Sequence, residues 1–114
     1  MVAVETDGVV VRLRILGWHR LWAFKRELEV DLRNVVAVRP KDPGLRPPWL
    51  RRVGTAITGL IYAGVFRGRG RREFWDWSRG KGTIQMELAD ERYTRVVVSV
   101  DAPEETIRRI QGKA

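Results

Sequence analysis

The feature that most constrains this chain is period-two alternation, repeated along almost its whole length. In VVVRLRIL (9–16), Val11, Leu13 and Ile15 fall on one side, with Arg12 and Arg14 on the other. ELEVDL (27–32) places Leu28, Val30 and Leu32 opposite Glu27, Glu29 and Asp31. Asn34 then interrupts as a bulge before Val35, Val36 and Val38 resume the same long strand. LIYAGVF (60–66), EFWDW (73–77), TIQMEL (83–88) and RVVVSV (95–100) supply four more short segments of the kind. Side chains that alternate faces belong to half-buried strands. Strands joined in order by short turns pair antiparallel. The expected architecture is therefore mainly β (α+β): a bent antiparallel sheet or open barrel of about six to seven strands.

Two stretches depart from the alternation. WHRLWAFKR (18–26) sets Trp18, Leu21, Trp22 and Lys25 at i, i+3, i+4 and i+7, the spacing of a short helix with an aromatic face. The end of the chain has a helix start signal: Asp101 as cap, Pro103 in the first turn, and Glu104 and Glu105 at the positive dipole end. Ile107 and Ile110 give that helix an apolar stripe, suited to plugging the open end of a barrel.

Turn chemistry separates these elements. Residues 40–59 hold Pro40, Pro43, Gly44, Pro47, Pro48, Gly54 and Gly59, which exclude a continuous helix or central strand. A loop of about twenty residues is expected there, long enough to suggest a function. In RGRGRR (67–72), Gly68 and Gly70 provide the positive φ of a tight reversal. At 114 residues the chain is expected to form one domain, 1–114, with its core in 9–111.

Together these segments resemble small bacterial PH-like (pleckstrin-homology-like) domain proteins. The resemblance is carried by VVVRL (9–13), WHRLW (18–22), VDLRNVVAV (30–38), GTAITGLI (54–61), GVF (64–66), FWDW (74–77), DERYTRVVV (90–98) and DAPEE (101–105). Asp31 departs from it, standing where the pattern would have proline. The resemblance implies the barrel-capping terminal helix and a non-catalytic binding role. It implies no phosphoinositide pocket, because a Trp-rich helical stretch follows the first strand in place of an open basic loop. No family binding residue is carried over.

The chemistry available is narrow. Without cysteine there is no disulfide, thiolate zinc site or cysteine nucleophile, and His19 is the only histidine. A metal or catalytic triad would need carboxylates for every other ligand, so no metal, cofactor or enzymatic activity is expected. Asp76, between Trp75 and Trp77, is expected to face solvent or to pair with Arg71 or Arg79. MVAVETDG lacks the features of a signal peptide, and no segment is long and apolar enough to span a bilayer. A cytoplasmic location is expected, with a peripheral position at the inner face of the membrane left open.

Charge gives the functional expectation. The net +8 lies entirely in residues 39–81, which carry eleven basic side chains against three acidic ones. Such a localised field attracts anionic partners. It also describes a solvated face in an arginine-rich chain, and both readings stand. The candidate contact residues are Trp49, Arg51 and Arg52 in the long loop, and Arg67, Arg69, Arg71 and Arg72 in the hairpin. Trp49 either anchors to a membrane interface or partner, or folds back to close the barrel. The expected function is docking on an anionic membrane surface or a protein partner. The alternative is nucleic-acid binding through the same arginines, with Trp49 stacking on bases. Self-association through a strand edge is a third possibility.

Overall fold

The computed structural model describes residues 2–15, 27–42, 44–45, 61–68 and 70–113, together with the backbone of 51–57. The expected helix at 18–26, with Trp18, His19 and Trp22, lies outside the described residues, as does Trp49. Nine strands are described: β1 (Val2–Thr6), β2 (Val10–Ile15), β3 (Glu27–Asp31), β4 (Val35–Pro40), β5 (Arg51–Ile57), β6 (Ile61–Gly68), β7 (Arg71–Ser78), β8 (Thr83–Leu88) and β9 (Arg95–Ser99). A 3-10 turn, Leu32–Asn34, separates β3 from β4, and one α-helix, α1 (Pro103–Lys113), ends the chain.

The strands form two sheets, in the orders β1-β2-β3 and β4-β8-β9-β7-β6-β5. Among the described residues they do not close into a barrel. The chain is thus mainly β with a C-terminal helix, but three sequence expectations need correction. The alternation across 27–38 does not mark one long strand. Asp31 accepts the Arg33 N–H at 3.0 Å, and the 3-10 turn sends β3 and β4 into different sheets. The bulge falls between Val35 and Ala37 rather than at Asn34. Residues 51–57 are not loop: they pair with β6 at the edge of the large sheet.

The third correction concerns connectivity. The last four strands are not a simple meander, because β9 lies between β7 and β8 and runs parallel to β7. The β7–β8 connection passes the end of β9 and is tied to it there. The Val100 N–H donates to the Gly82 carbonyl at 2.9 Å, and the Ser78 N–H to Ser99 Oγ at 3.2 Å. Val96 and Val98 face one packed cluster and Val97 the other, so all three are fully buried.

Both faces of the large sheet are covered. One carries Ala63, Phe74, Ile84, Met86, Val96 and Val98, and packs into a single core with Val11, Leu13, Val30 and Leu32. The other carries Tyr62, Phe66, Trp75 and Val97, over which Leu45 packs. Tyr62 stacks on Trp77 with ring centroids 5.3 Å apart, and the Lys41 ammonium lies 5.1 Å from the Trp77 centroid.

Helix α1 packs against β1, β4 and β8, and so bridges the two sheets. Ile110 and Thr106 are buried, and Gln111 Nε2 donates to the Val38 carbonyl at 3.2 Å. Pro103 stands at the first helical position, where its missing N–H removes no intrahelical bond. The first helical bond, from the Thr106 N–H to the Ala102 carbonyl at 2.9 Å, therefore makes Ala102 the cap residue. Asp101 lies one position outside, exposed and without a side-chain bond among the described residues, which corrects its expected capping role.

Candidate basic docking surface

The β6–β7 reversal joins two strands that pair up to the turn itself. Gly68 pairs with Arg71 across this reversal. Gly70 has φ +75, which a glycine adopts freely. Gly68 is a strand residue without positive φ, so one of the two expected turn glycines serves the reversal.

Strand register brings the two predicted contact elements together. Arg51 on β5 pairs with Arg67 on β6, and Arg67 pairs with Arg72 on β7. Residues up to 21 positions apart in sequence thus form one row across three adjacent strands. Arg52 stands in the next row, opposite Phe66 and, beyond it, Glu73. Arg67 and Arg71 are exposed, and Arg72 is half-buried. The Arg72 carbonyl accepts the Thr94 N–H at 2.8 Å, which ties the β8–β9 loop, with exposed Arg92, to the same end. Among the described residues, Arg67, Arg72 and Arg92 have no carboxylate partner. Trp49 and Arg69 lie outside the described residues, so the base-stacking reading gains nothing from the structure.

Arg71 differs from its neighbours. Its Nη1 lies 3.7 Å from Glu73 Oε2, and Glu73 is completely buried. Arg95 Nη1 reaches the same oxygen at 3.4 Å, while Arg95 Nε donates to Glu87 Oε1 at 2.8 Å. Arg39 Nη2 lies 3.7 Å from Glu87. A ladder of alternating charge therefore crosses β7, β9, β8 and β4 on one face of the sheet. Trp75 Nε1 donates to Glu73 Oε1 at 2.9 Å, and Gln85 Nε2 to Glu87 Oε1 at 2.9 Å. Sequence reasoning missed the ladder because its members become neighbours only through the β7–β9, β8–β9 and β4–β8 pairings.

Asp76 is fully buried on the opposite face, beside Ala63 and Val98, and does not face solvent as expected. Arg71 points to the other side of the strand, as alternation from position 71 to 76 requires.

Three acids at the basic end are hydrogen-bonded, Asp7 and Asp31 within their own turns and Glu91 across to the 3-10 turn. Asp7 accepts the N–H groups of Val10 at 3.0 Å and Val9 at 2.9 Å, which holds its carboxyl below the usual aspartate range. Asp31 is likewise lowered, first by the Arg33 side chain and then by the Arg33 N–H, and Arg33 is raised in return. Glu91 accepts from Asn34 Nδ2 at 2.6 Å and from the Asp31 N–H at 3.3 Å.

A shallow dent lined by Ala102, Pro103, Glu104, Glu105 and Arg108 lies at the start of α1. Among the described residues, no three His, Cys, Asp or Glu side chains are grouped to hold a metal ion. No described helix is long and apolar enough to cross a membrane. No family model, curated protein or solved structure matches this chain.

Proposed function

We propose that this chain is a non-catalytic binding module of the PH-like kind that docks on an anionic surface through its arginine end. The PH-like part rests on the sequence segments and on a β-rich fold with a C-terminal helix against the sheets. The parallel β7–β9 pair departs from the antiparallel arrangement that the resemblance implies. The docking part rests on one observation: Arg51, Arg67 and Arg72 share a row across three strands, and among the described residues Arg67 and Arg72 have no carboxylate partner. Like charges held side by side repel one another and gain nothing from the fold. An external anion relieves that repulsion.

The test replaces Arg67, Arg69 and Arg72 by glutamine and leaves Arg71, with its structural tie to Glu73, in place. Each arginine near an anionic surface contributes about 1 kcal/mol, so the triple variant should bind roughly a hundredfold more weakly to anionic vesicles at low salt. Its melting temperature should stay close to that of the wild type, since surface changes stay within about 0.5 kcal/mol each. Wild-type protein that ignores anionic vesicles and heparin alike at low salt would overturn the proposal, as would a triple variant that binds unchanged.

A further inference from the structure

We infer that the arginine end carries an apolar wedge, Val9 and Val36, and that its occupant is the interfacial zone of an anionic lipid bilayer. This inference rests on the docking reading above and names its partner.

Among the described residues, these two valines are the large hydrophobic side chains left in water, Val9 at 66% and Val36 at 68% exposure. They flank one structural feature. The Val9 carbonyl accepts the Leu32 N–H at 2.9 Å at the start of the 3-10 turn, and Val36 follows the end of that turn. Val36 occupies the register slip between Val35 and Ala37, and bulges of this kind re-aim a side chain.

Strand order puts the wedge and the arginines at the same end of the molecule. β4 begins opposite Leu88, the last residue of β8, so its start lies beside the β8–β9 loop. That loop is bonded to Arg72 at the start of β7, next to the β6–β7 turn. From β4 to β6 is four strand spacings, roughly 19 Å across the sheet. An extended flat surface reaches both.

The chemistry selects a bilayer over other anions. An acidic protein or a nucleic acid would pair the arginines but leave the valines unused. Two separate valines without a groove around them do not form the packed centre of a protein interface. Insertion into the fluid headgroup and acyl boundary needs no complementary shape, only apolar area beside positive charge. Of the acids nearby, Asp31 is offset by its ion pair with Arg33 at 2.9 Å, while Asp7, Asp90 and Glu91 keep their charge, so the attraction to headgroups comes from the arginines across the sheet.

The test uses the full chain with Val9 and Val36 both changed to serine, and a second variant with both changed to leucine. Binding is measured by co-sedimentation with phosphatidylcholine vesicles containing about a third phosphatidylglycerol, and separately to heparin. Loss of the buried valine area should weaken vesicle binding roughly tenfold or more, leave heparin affinity unchanged, and the leucine variant should bind vesicles more tightly than wild type. A serine variant that binds vesicles as wild type does overturns the wedge and leaves the docking reading intact. Wild type that binds heparin but not vesicles does the same. Wild type that binds neither removes both. Both positions are exposed, and unchanged circular dichroism verifies that the variants fold.

Discussion

Arg95→Met is the most informative single change to the stability of this fold. The Arg95 side chain is 17% exposed and spans two carboxylates, bonding Glu87 at 2.8 Å and Glu73 at 3.4 Å. Glu73 has no exposed area at all. Without Arg95 it keeps the Trp75 indole N–H and the distant, half-exposed Arg71, too little to compensate a buried negative charge. Breaking a buried pair by removing one partner costs about 3–5 kcal/mol. Against a total stability of about 5–15 kcal/mol, that is roughly a fifth of the whole or more. For a chain of this length it corresponds to a drop of roughly 12–20 °C in Tm. Glu87 adds little to the loss, because it is partly exposed and keeps Arg39 and Gln85. The mechanism is isolated by the double variant Glu73→Gln, Arg95→Met. With both charges gone and the Trp75 bond kept, stability should return to within about 1–2 kcal/mol of wild type. Urea unfolding of the three proteins, checked for a constant m-value, provides the measurement. A loss below about 1 kcal/mol in Arg95→Met, or a double variant no more stable than the single, would refute the reasoning.

Two further predictions concern the ends of the fold. Gly82→Ala should destabilise by about 1–3 kcal/mol, because the new Cβ would lie 2.5 Å from Pro103 Cγ at the start of α1; Gly112→Ala, with open space around it, should stabilise slightly, and thermal melts of the pair decide the sign. The Asp7 carboxyl should titrate below the ordinary aspartate value of about 3.9 in an NMR titration, since the Val10 and Val9 N–H groups hold its charged form. With the folded pKa depressed, its contribution is complete above the ordinary value and is lost as pH falls through the folded one; a midpoint at or above the ordinary value would refute the assignment.

Local pattern read well wherever an element's own residues decide it. The alternation of TIQMEL and EFWDW located β8 and β7, and Pro103 with its two glutamates located α1. Two-sided burial of Phe74 and Trp75 agrees with bulky side chains on both faces of FWDW. The same reasoning missed VAVET at 2–6, which pairs with β2 in full register, and treated 51–57 as loop. Five residues, or a strand containing Gly54, carry too weak a pattern to stand out without a partner strand.

The sequence determined which residues are strand-like, which ends are helical and where the positive charge lies, because alternation, proline geometry and charge count are local quantities. Tertiary structure alone decided which strands are neighbours. The unbroken Val96–Val97–Val98 run was the one local sign that β9 is central, yet it does not say between which strands it inserts. That insertion makes Glu73, Arg95 and Glu87 into a ladder and turns Asp76 into the core. The β5–β6 register likewise sets Arg51 beside Arg67. Pairing across sheets depends on closing loops and filling a shared core, and those free energies belong to the whole chain rather than to any segment.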